Sequence, residues 1–131
     1  MAELQVAIVS VDRSVWSGAA KNVVLKTVEG DMGILPGHEP VLAMLSDGPV
    51  RIDPVDEDPR LFAVHGGFFS LDGNRIQILA EIAEAAEDID LQRAKAAKER
   101  IGTPEQDDAE DVAALHRAET RIEVAMRQQG L

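Results

Sequence analysis

Apolar residues in the first 80 positions alternate with polar ones or form short β-branched runs, and turn residues separate one run from the next. This pattern is typical of the strands of an all-β sandwich or barrel. We expect strands in LQVAIVSV and KNVVLKTV, and two or three more in LFAVHGGFFSLDGNRIQILAE. In the last stretch, Gly66-Gly67 marks a break or bulge and Asp72-Gly73 a tight hairpin turn. Prolines between positions 36 and 59 favour strand ends and loops over long helices.

The rest of the chain is rich in Ala, Glu, Arg and Lys, which predicts two helices. In DIDLQRAKAAKERIG, Asp90 is the expected N-cap and Gly102 the residue just past the end, which gives one helix of about three turns. A second helix is expected to start at once, with Thr103 as its N-cap, Pro104 at its first position and Gln106 completing a capping box. Two helices joined by so short a link either fold back as a hairpin or extend apart.

Each predicted helix offers only a narrow apolar stripe. The stripe of the second helix consists of Leu115, Ala118, Ile122 and Ala125, and that of the first is also rich in alanine. Because burial of a methyl-sized group is worth only about 0.8 kcal/mol, we expect a weakly held hairpin that can change position. The sequence therefore predicts an α+β protein. It has an N-terminal β-sandwich over residues 1–86 and a C-terminal two-helix antiparallel hairpin over residues 87–131.

Charge and composition exclude several classes of function. The 131 residues include 24 acidic and 13 basic ones, for a net charge of -11, which argues against a nucleic-acid partner because phosphate binding needs clustered Lys and Arg. The absence of cysteine from the sequence excludes disulfides and thiol chemistry. Every uncharged run in the sequence is too short for a membrane span. We therefore expect a soluble cytoplasmic protein.

The segment GDMGILPGHEPVLAML, residues 30 to 45, has the composition of an active-site loop but lacks the chemistry of one. It does not end in the G-K-[ST] of a phosphate-binding loop. Asp31, His38 and Glu39 have no second histidine at ligand spacing, so we predict no metal site. His65 and His116 stand alone and are interpreted as packing or surface residues. The glycines and prolines predict a rigid, exposed loop, and an enzyme built on Asp31, His38 and Glu39 is the remote alternative.

Two long motifs resemble those of the epsilon subunit of the F-type ATP synthase. The first is GDMGILPGHEPVLAML followed by DGPVRI, which is similar to the family's G-[DE]-[ILM]-G-[IV]-L-P-G-H-x-P-x-L segment and the turn and strand after it. The second is VHGGFFSLDGNRIQILAEIAEAAEDID, which is similar to the family's G-G-F strand pair and the junction before its helices. The resemblance covers essentially the whole chain. It implies a noncatalytic rotor component of a proton-translocating ATP synthase rather than an enzyme in its own right.

The resemblance also implies partners and a location. In the family, the sandwich binds the gamma subunit and the ring of c subunits, and the hairpin reaches the alpha and beta subunits. The loop expected to contact the c ring and gamma then contains Asp31, Met32, Gly33, Ile34 and His38. Such a subunit is peripheral, on the cytoplasmic face of the plasma membrane. A β-sandwich adaptor that binds a different protein partner is the alternative function.

For the hairpin, the resemblance implies a regulatory role. In the family, an extended hairpin inhibits ATP hydrolysis more than synthesis, because its second helix meets an acidic segment of the beta subunit. Three arginines of the predicted second helix are the candidates for that contact: Arg117, Arg121 and Arg127.

In some bacterial members of the family an I-D-x-x-R-A motif binds regulatory ATP, and IDLQRA matches it here. The implied nucleotide-binding residues are Asp90, Arg93, Arg100 and Arg117. However, Val124 and Gln128 occupy positions where two further arginines are expected, and Asp90 alone accounts for a capped helix start. We therefore favour the capping role and expect no cofactor, with a regulatory ATP site as the alternative.

Overall fold

The computed structural model describes residues 3–105 and 108–130, in which nine strands precede two helices. The strands are β1 (Leu4–Val9), β2 (Ser14–Thr27), β3 (Gly30–Ile34), β4 (Val41–Met44), β5 (Gly48–Pro54), β6 (Arg60–His65), β7 (Phe68–Asp72), β8 (Arg75–Leu79) and β9 (Ile82–Ala85). A 3-10 turn, Ala86–Asp88, leads to α1 (Leu91–Ile101) and α2 (Ala109–Gln128). The predicted α+β class is confirmed.

The described strands form one hydrogen-bonded sheet that folds over itself. The order is β4-β7-β8-β1-β2-β5-β6-β9, and β3 pairs with β2. The long strand β2 belongs to both layers, because its first half pairs with β1 and its second half with β5 and β3. Strands from both halves bury alternate side chains in a single core, which includes Leu4, Ile8, Val23, Ile52, Phe62, Phe69 and Ile78. A core shared by two layers makes the sheet a sandwich.

Strands extend further than the sequence predicted. The segment 30–45 contains β3 and β4, which leaves residues 35–40 as the connecting turn of what was expected to be one exposed loop. Met32 and Ile34 do alternate with Asp31 and Gly33, but the glycines at positions 30 and 33 hide this period of two. At the other end of the sandwich, β9 lies beyond position 80, where the strand pattern was expected to stop.

The hairpin turn between β7 and β8 lies one residue later than predicted. Asp72 pairs with Arg75 at the end of the two strands, so the turn residues are Gly73 and Asn74. Both have positive φ angles, 58° and 64°. A two-residue turn of this type requires positive φ at both positions, and Gly and Asn are the residues that adopt it most readily.

The limits of α1 agree with the sequence prediction. The Asp90 Oδ1 atom accepts a hydrogen bond from the backbone N–H of Arg93 at 3.0 Å, as an N-cap does. Gly102 ends the helix with a φ of 67°.

The predicted start of α2 is wrong. The helix begins at Ala109, and its N-cap is Asp108, whose side chain accepts a hydrogen bond from a backbone N–H three residues later. Thr103 and Pro104 lie in the connecting segment, and Gln106 lies outside the described residues. Both Thr103 and Asp108 are of types that commonly cap helices, and acidic residues follow both, so these local signals do not decide between them. Neither described helix has the length and apolar character that a membrane span requires.

Helix α2 lies between α1 and the sandwich. It packs on α1, on β6 and β5, and on the 3-10 turn. Ala118 and Ala125 of the predicted stripe are buried, whereas Leu115 and Ile122 are only half-buried. A second buried pair, Thr120 and Val124, was not predicted, because Thr120 is polar and the two residues form no apolar stripe.

Candidate functional site

The outer face of β4, β7 and β8 carries a row of exposed apolar side chains. Met44 is paired with Phe68 and Phe68 with Leu79, so the strand register brings the three side chains side by side. Their exposed fractions are 64%, 44% and 38%. Val9 continues the row onto β1, and the row lines a shallow groove of about 450 Å³. A contiguous exposed apolar surface of this kind is typical of a site that binds another protein.

The sequence analysis missed this row. On β7 the sequence FFSL places Phe69 in the core and Phe68 on the opposite face, because successive side chains of a strand alternate. On β4 the sequence VLAM likewise exposes Leu42 and Met44. Apolar residues on both faces of two adjacent strands were the available signal, since a solvent-facing side of a sandwich is usually polar.

The segment predicted to contact the c ring and gamma begins at the tip of the β2–β3 hairpin. Thr27 closes this tip, because its Oγ1 donates to the Gly30 carbonyl at 2.8 Å and accepts from the Glu29 N–H at 3.1 Å. Asp31 and Gly33 lie on the exposed side of β3.

The other predicted residues of this segment differ in exposure. Met32 is half-buried and packs against the core, and Ile34 is 1% exposed. The side chain of Ile34 therefore anchors β3 in the sandwich and does not form part of the surface. His38 follows in the connecting turn, where its Nδ1 lies 2.8 Å from the carbonyl oxygen of Glu39.

The turn that carries His38 is fastened to the β7–β8 hairpin. The Gly37 N–H donates to Asn74 Oδ1 at 2.7 Å. Because Phe68 begins β7 and Leu79 ends β8, their side chains lie at the opposite end of this hairpin from Asn74. The turn and the apolar row therefore mark the two ends of the same pair of strands.

A polar cluster joins α2 to the sandwich. Arg121 Nε donates to Glu84 Oε1 at 2.6 Å, and His65 Nε2 lies 3.1 Å from the same oxygen. Since a carboxylate can only accept, the His65 ring donates through Nε2. His65 is 3% exposed, and its Nδ1 has no hydrogen-bond partner among the described residues. His65 is thus a packing residue, as predicted, with a polar contact that the sequence did not indicate.

The Glu84 carboxylate is held in its charged form. Burial raises its pKa, but the hydrogen bonds from His65 and Arg121, together with the charges of these two side chains, outweigh burial and hold the pKa below the ordinary value of 4.5. At neutral pH the cluster is therefore an ion pair between β9 and α2.

Three of the four residues implied for nucleotide binding lie together. Asp90, Arg93 and Arg100 line a cavity of about 530 Å³ between α1 and α2. The arginine that α2 contributes to this cavity is Arg121, and not Arg117. The Asp90 side chain is already engaged as the cap of α1.

The three arginines expected to act on the beta subunit have different environments in the docked hairpin. Arg121 is bound to Glu84, as described above. Arg127 Nη2 lies 3.5 Å from Glu123 Oε2, one turn earlier on the same helix. Arg117 is half-buried. One of the three is therefore held by the sandwich itself.

Comparison with known proteins gives consistent matches. Residues 3–86 match the family model described as ATP synthase, Delta/Epsilon chain, beta-sandwich domain. The chain is 46% identical over 121 residues to the ATP synthase epsilon chain of Streptomyces avermitilis, covering 92% of this chain and 94% of that protein. It is 47% identical over 127 residues to the ATP synthase epsilon chain of Streptomyces griseus, covering 96% and 98%.

A solved structure shares the fold. It is a chain of the Euglena gracilis mitochondrial ATP synthase, from a structure of OSCP, F1 and the c-ring. The TM-score is 0.73 at 20% identity, and the match covers 99% of this chain and 81% of that one.

Proposed function

We propose that this chain is a rotor component of an ATP synthase. The chain belongs to the ATP synthase epsilon family and is therefore a noncatalytic subunit of that enzyme. In this proposal, residues 1–86 bind the gamma subunit and rest on the c ring, so that ion-driven rotation of the ring reaches the catalytic sites on the alpha and beta subunits. Residues 87–131 regulate hydrolysis. The complex holds the chain as a peripheral subunit, on the cytoplasmic face of the plasma membrane.

The observation that carries this proposal is the exposed row of Met44, Phe68 and Leu79. On a chain with a net charge of -11, a continuous apolar row is costly to leave in water and needs a protein surface to cover it. Methionine and aromatic side chains are enriched in the buried centres of protein interfaces. We assign this row to the gamma subunit, because an elongated rotor subunit can lie along the face of a sheet.

The c ring is proposed to meet the segment between the β2–β3 hairpin tip and the turn at His38. The tip lies beside Met44, since the Val28 N–H donates to the Met44 carbonyl at 3.1 Å. Asp31 and Gly33 are exposed next to a closed hairpin tip, and His38 lies in a turn fastened to a second hairpin. These hydrogen bonds restrict the bending of both turns, which suits a contact that has to transmit force. It requires no bond-making group.

Binding of purified gamma tests the assignment of the row. Phe68→Asp in the full chain is expected to weaken the one-to-one complex by at least about tenfold in isothermal titration, since it places a charge at the centre of an apolar contact. Val55→Asp is the control. It introduces the same charge at an apolar side chain of similar exposure, 38% against 44% for Phe68, but outside the row. Equal affinity of the two variants would contradict the assignment, and failure of the unaltered chain to bind gamma would contradict the rotor function.

The regulatory role of the hairpin is supported by the way it is attached. The buried side chains that the two helices contribute are small: Ala94 in α1, and Ala118, Thr120, Val124 and Ala125 in α2. A small apolar contact makes the docked state one that a few kcal/mol can reverse. The released α2 would then present Arg117, Arg121 and Arg127 to an acidic partner on the beta subunit.

In this proposal the hairpin docks on the sandwich without a bound nucleotide, because the Asp90 carboxylate already accepts the capping hydrogen bond of α1. The cavity beside it nevertheless contains Arg93 and Arg100, whose guanidinium groups suit phosphate. Titration of ATP into the full chain and into Arg93→Ala separates the two interpretations, with Lys95→Ala as the control. Tight binding that Arg93→Ala abolishes would contradict the capping interpretation.

A further inference from the structure

We propose that Glu84 is a latch for the hairpin: in the docked state its carboxylate holds Arg121, and so withholds from the beta subunit one of the arginines that inhibit hydrolysis. This inference rests on the regulatory function proposed above. The new element is the residue, Glu84, that sets the equilibrium between the docked and the released hairpin.

The position of Glu84 suits this role. In β9, Ala83 and Ala85 point into the core, so Glu84 points to the opposite face, where α2 lies. Its register partner on β6 is Ala63, which is fully buried and belongs to the same apolar cluster as Val124 of α2. The carboxylate therefore lies beside the apolar contact that seats the helix on the sheet.

The polar contact supplements an apolar contact that is itself small. The cluster beneath α2 has only three buried members, Ala63, Ala86 and Val124, with Leu61 and Ile89 packed at its edge. The side chains of Glu84 and Arg121 are 26% and 31% exposed, so their contact is partly shielded from water. A shielded, charge-assisted hydrogen bond is stronger than an exposed ion pair.

His65 has a positioning role in the latch. It donates to the same Oε1 atom that accepts from Arg121, and it comes from β6, the strand next to β9. Because β6 is paired on both sides, by β5 and β9, the buried side chain of His65 holds this oxygen at a fixed place, so that the carboxylate is aimed at α2 before the helix docks.

The latch makes a distinctive prediction, because Arg121 has one role in each state. Glu84→Gln replaces the docked ion pair with a weaker hydrogen bond to a neutral acceptor but leaves Arg121 available, so the hairpin is released more often and inhibits more strongly. Arg121→Gln also loses the docked ion pair, but it removes one of the arginines needed in the released state. The two variants should therefore agree in their effect on docking and differ in their effect on hydrolysis.

Docking is measured in the full chain with a pair of spin labels. The sequence has no cysteine, so Asp58→Cys and Gln128→Cys can be labelled specifically. These two positions line one cleft between the β5–β6 loop and the end of α2, and undocking separates them. Glu84→Gln and Arg121→Gln should each raise the ratio of long to short distances about tenfold, equivalent to about 1.4 kcal/mol. Glu81→Gln, the same change at an exposed neighbouring position, should leave it unaltered.

Hydrolysis is then measured in the assembled complex with the same substitutions. Glu84→Gln should lower the rate relative to the unaltered chain, and Arg121→Gln should not. Unchanged label distances in both Glu84→Gln and Arg121→Gln would overturn the latch, whatever the hydrolysis rate. If the distances change as expected but replacement of Arg117, Arg121 and Arg127 by alanine does not raise hydrolysis, the inhibitory function fails instead.

Discussion

Val124 is fully buried where α2 meets the sandwich, and its shortening to alanine should loosen the helix selectively. Val124→Ala removes two carbon atoms from this contact. At about 0.8 kcal/mol each, transfer accounts for about 1.6 kcal/mol, and the cavity left between small neighbours adds to it. Since Ala63 and Ala86 have no further atoms with which to fill the space, we expect docking to weaken by about 2 kcal/mol, or roughly 30-fold.

Two signals separate the helices from the sandwich during urea unfolding. Trp16 is the only tryptophan in the sequence, and its ring centroid lies 6.5 Å from that of Phe62 in the sandwich. Its fluorescence therefore reports the unfolding of the strands, while far-ultraviolet circular dichroism reports the unfolding of the helices. In Val124→Ala the helical transition should move to a lower urea concentration. The tryptophan transition should stay in place, because we expect the sandwich of residues 1–86 to fold without the helices.

Val28→Ala provides the control, since it is the same chemical change at a position that is 66% exposed. It should move neither transition. If Val124→Ala shifts the tryptophan and helical signals together by the same amount, strands and helices unfold as one unit and the proposed division at residue 86 is wrong. If neither signal moves, Val124 does not hold the helix.

Three further outcomes follow from the structure. Asp31→Lys should impair ion-driven ATP synthesis in vesicles and leave hydrolysis by the soluble catalytic complex nearly intact, and equal loss of both activities would refute the c-ring contact. Gly67→Ala should lower the stability of the sandwich by several kcal/mol, because a Cβ there would clash with the Leu79 carbonyl oxygen and φ is 105°; Gly73→Ala, with a φ of 58° but open space around it, should cost less. Docking should weaken on acidification: the pKa of Glu84 is lowered in the docked state, so its stabilisation is complete above the ordinary pKa of 4.5 and is lost as pH falls through the lower docked value. The spin-label distances should follow this change in the unaltered chain and not in Glu84→Gln.

Local signals account for the parts of the fold that the sequence predicted correctly. The strands of the sandwich follow from alternation, and α1 follows from Asp90, whose cap reaches only three residues along the chain. The start of α2 could not be predicted in the same way, because Thr103 and Asp108 are both good caps and the choice between them depends on where α2 meets the sheet.

The candidate sites depend on contacts that the sequence does not bring together. Glu84 and Arg121 are 37 residues apart, and nothing local distinguishes this pair from the many other acidic and basic residues. Phe68 and Phe69 are adjacent, and which of them is buried depends on which side of β7 the second layer covers. The motifs therefore led to the family, whereas the apolar row and the latch required the fold.

The rotor function is tested most directly by adding this chain to an ATP synthase complex that has been stripped of its own epsilon subunit, and measuring ATP synthesis and hydrolysis in the same vesicles. The full chain should restore ion-driven synthesis. A chain that lacks residues 103–131 should restore synthesis as well but leave hydrolysis faster than the full chain does. Synthesis that stays at the level of the stripped complex, with the chain bound to it, would contradict the account.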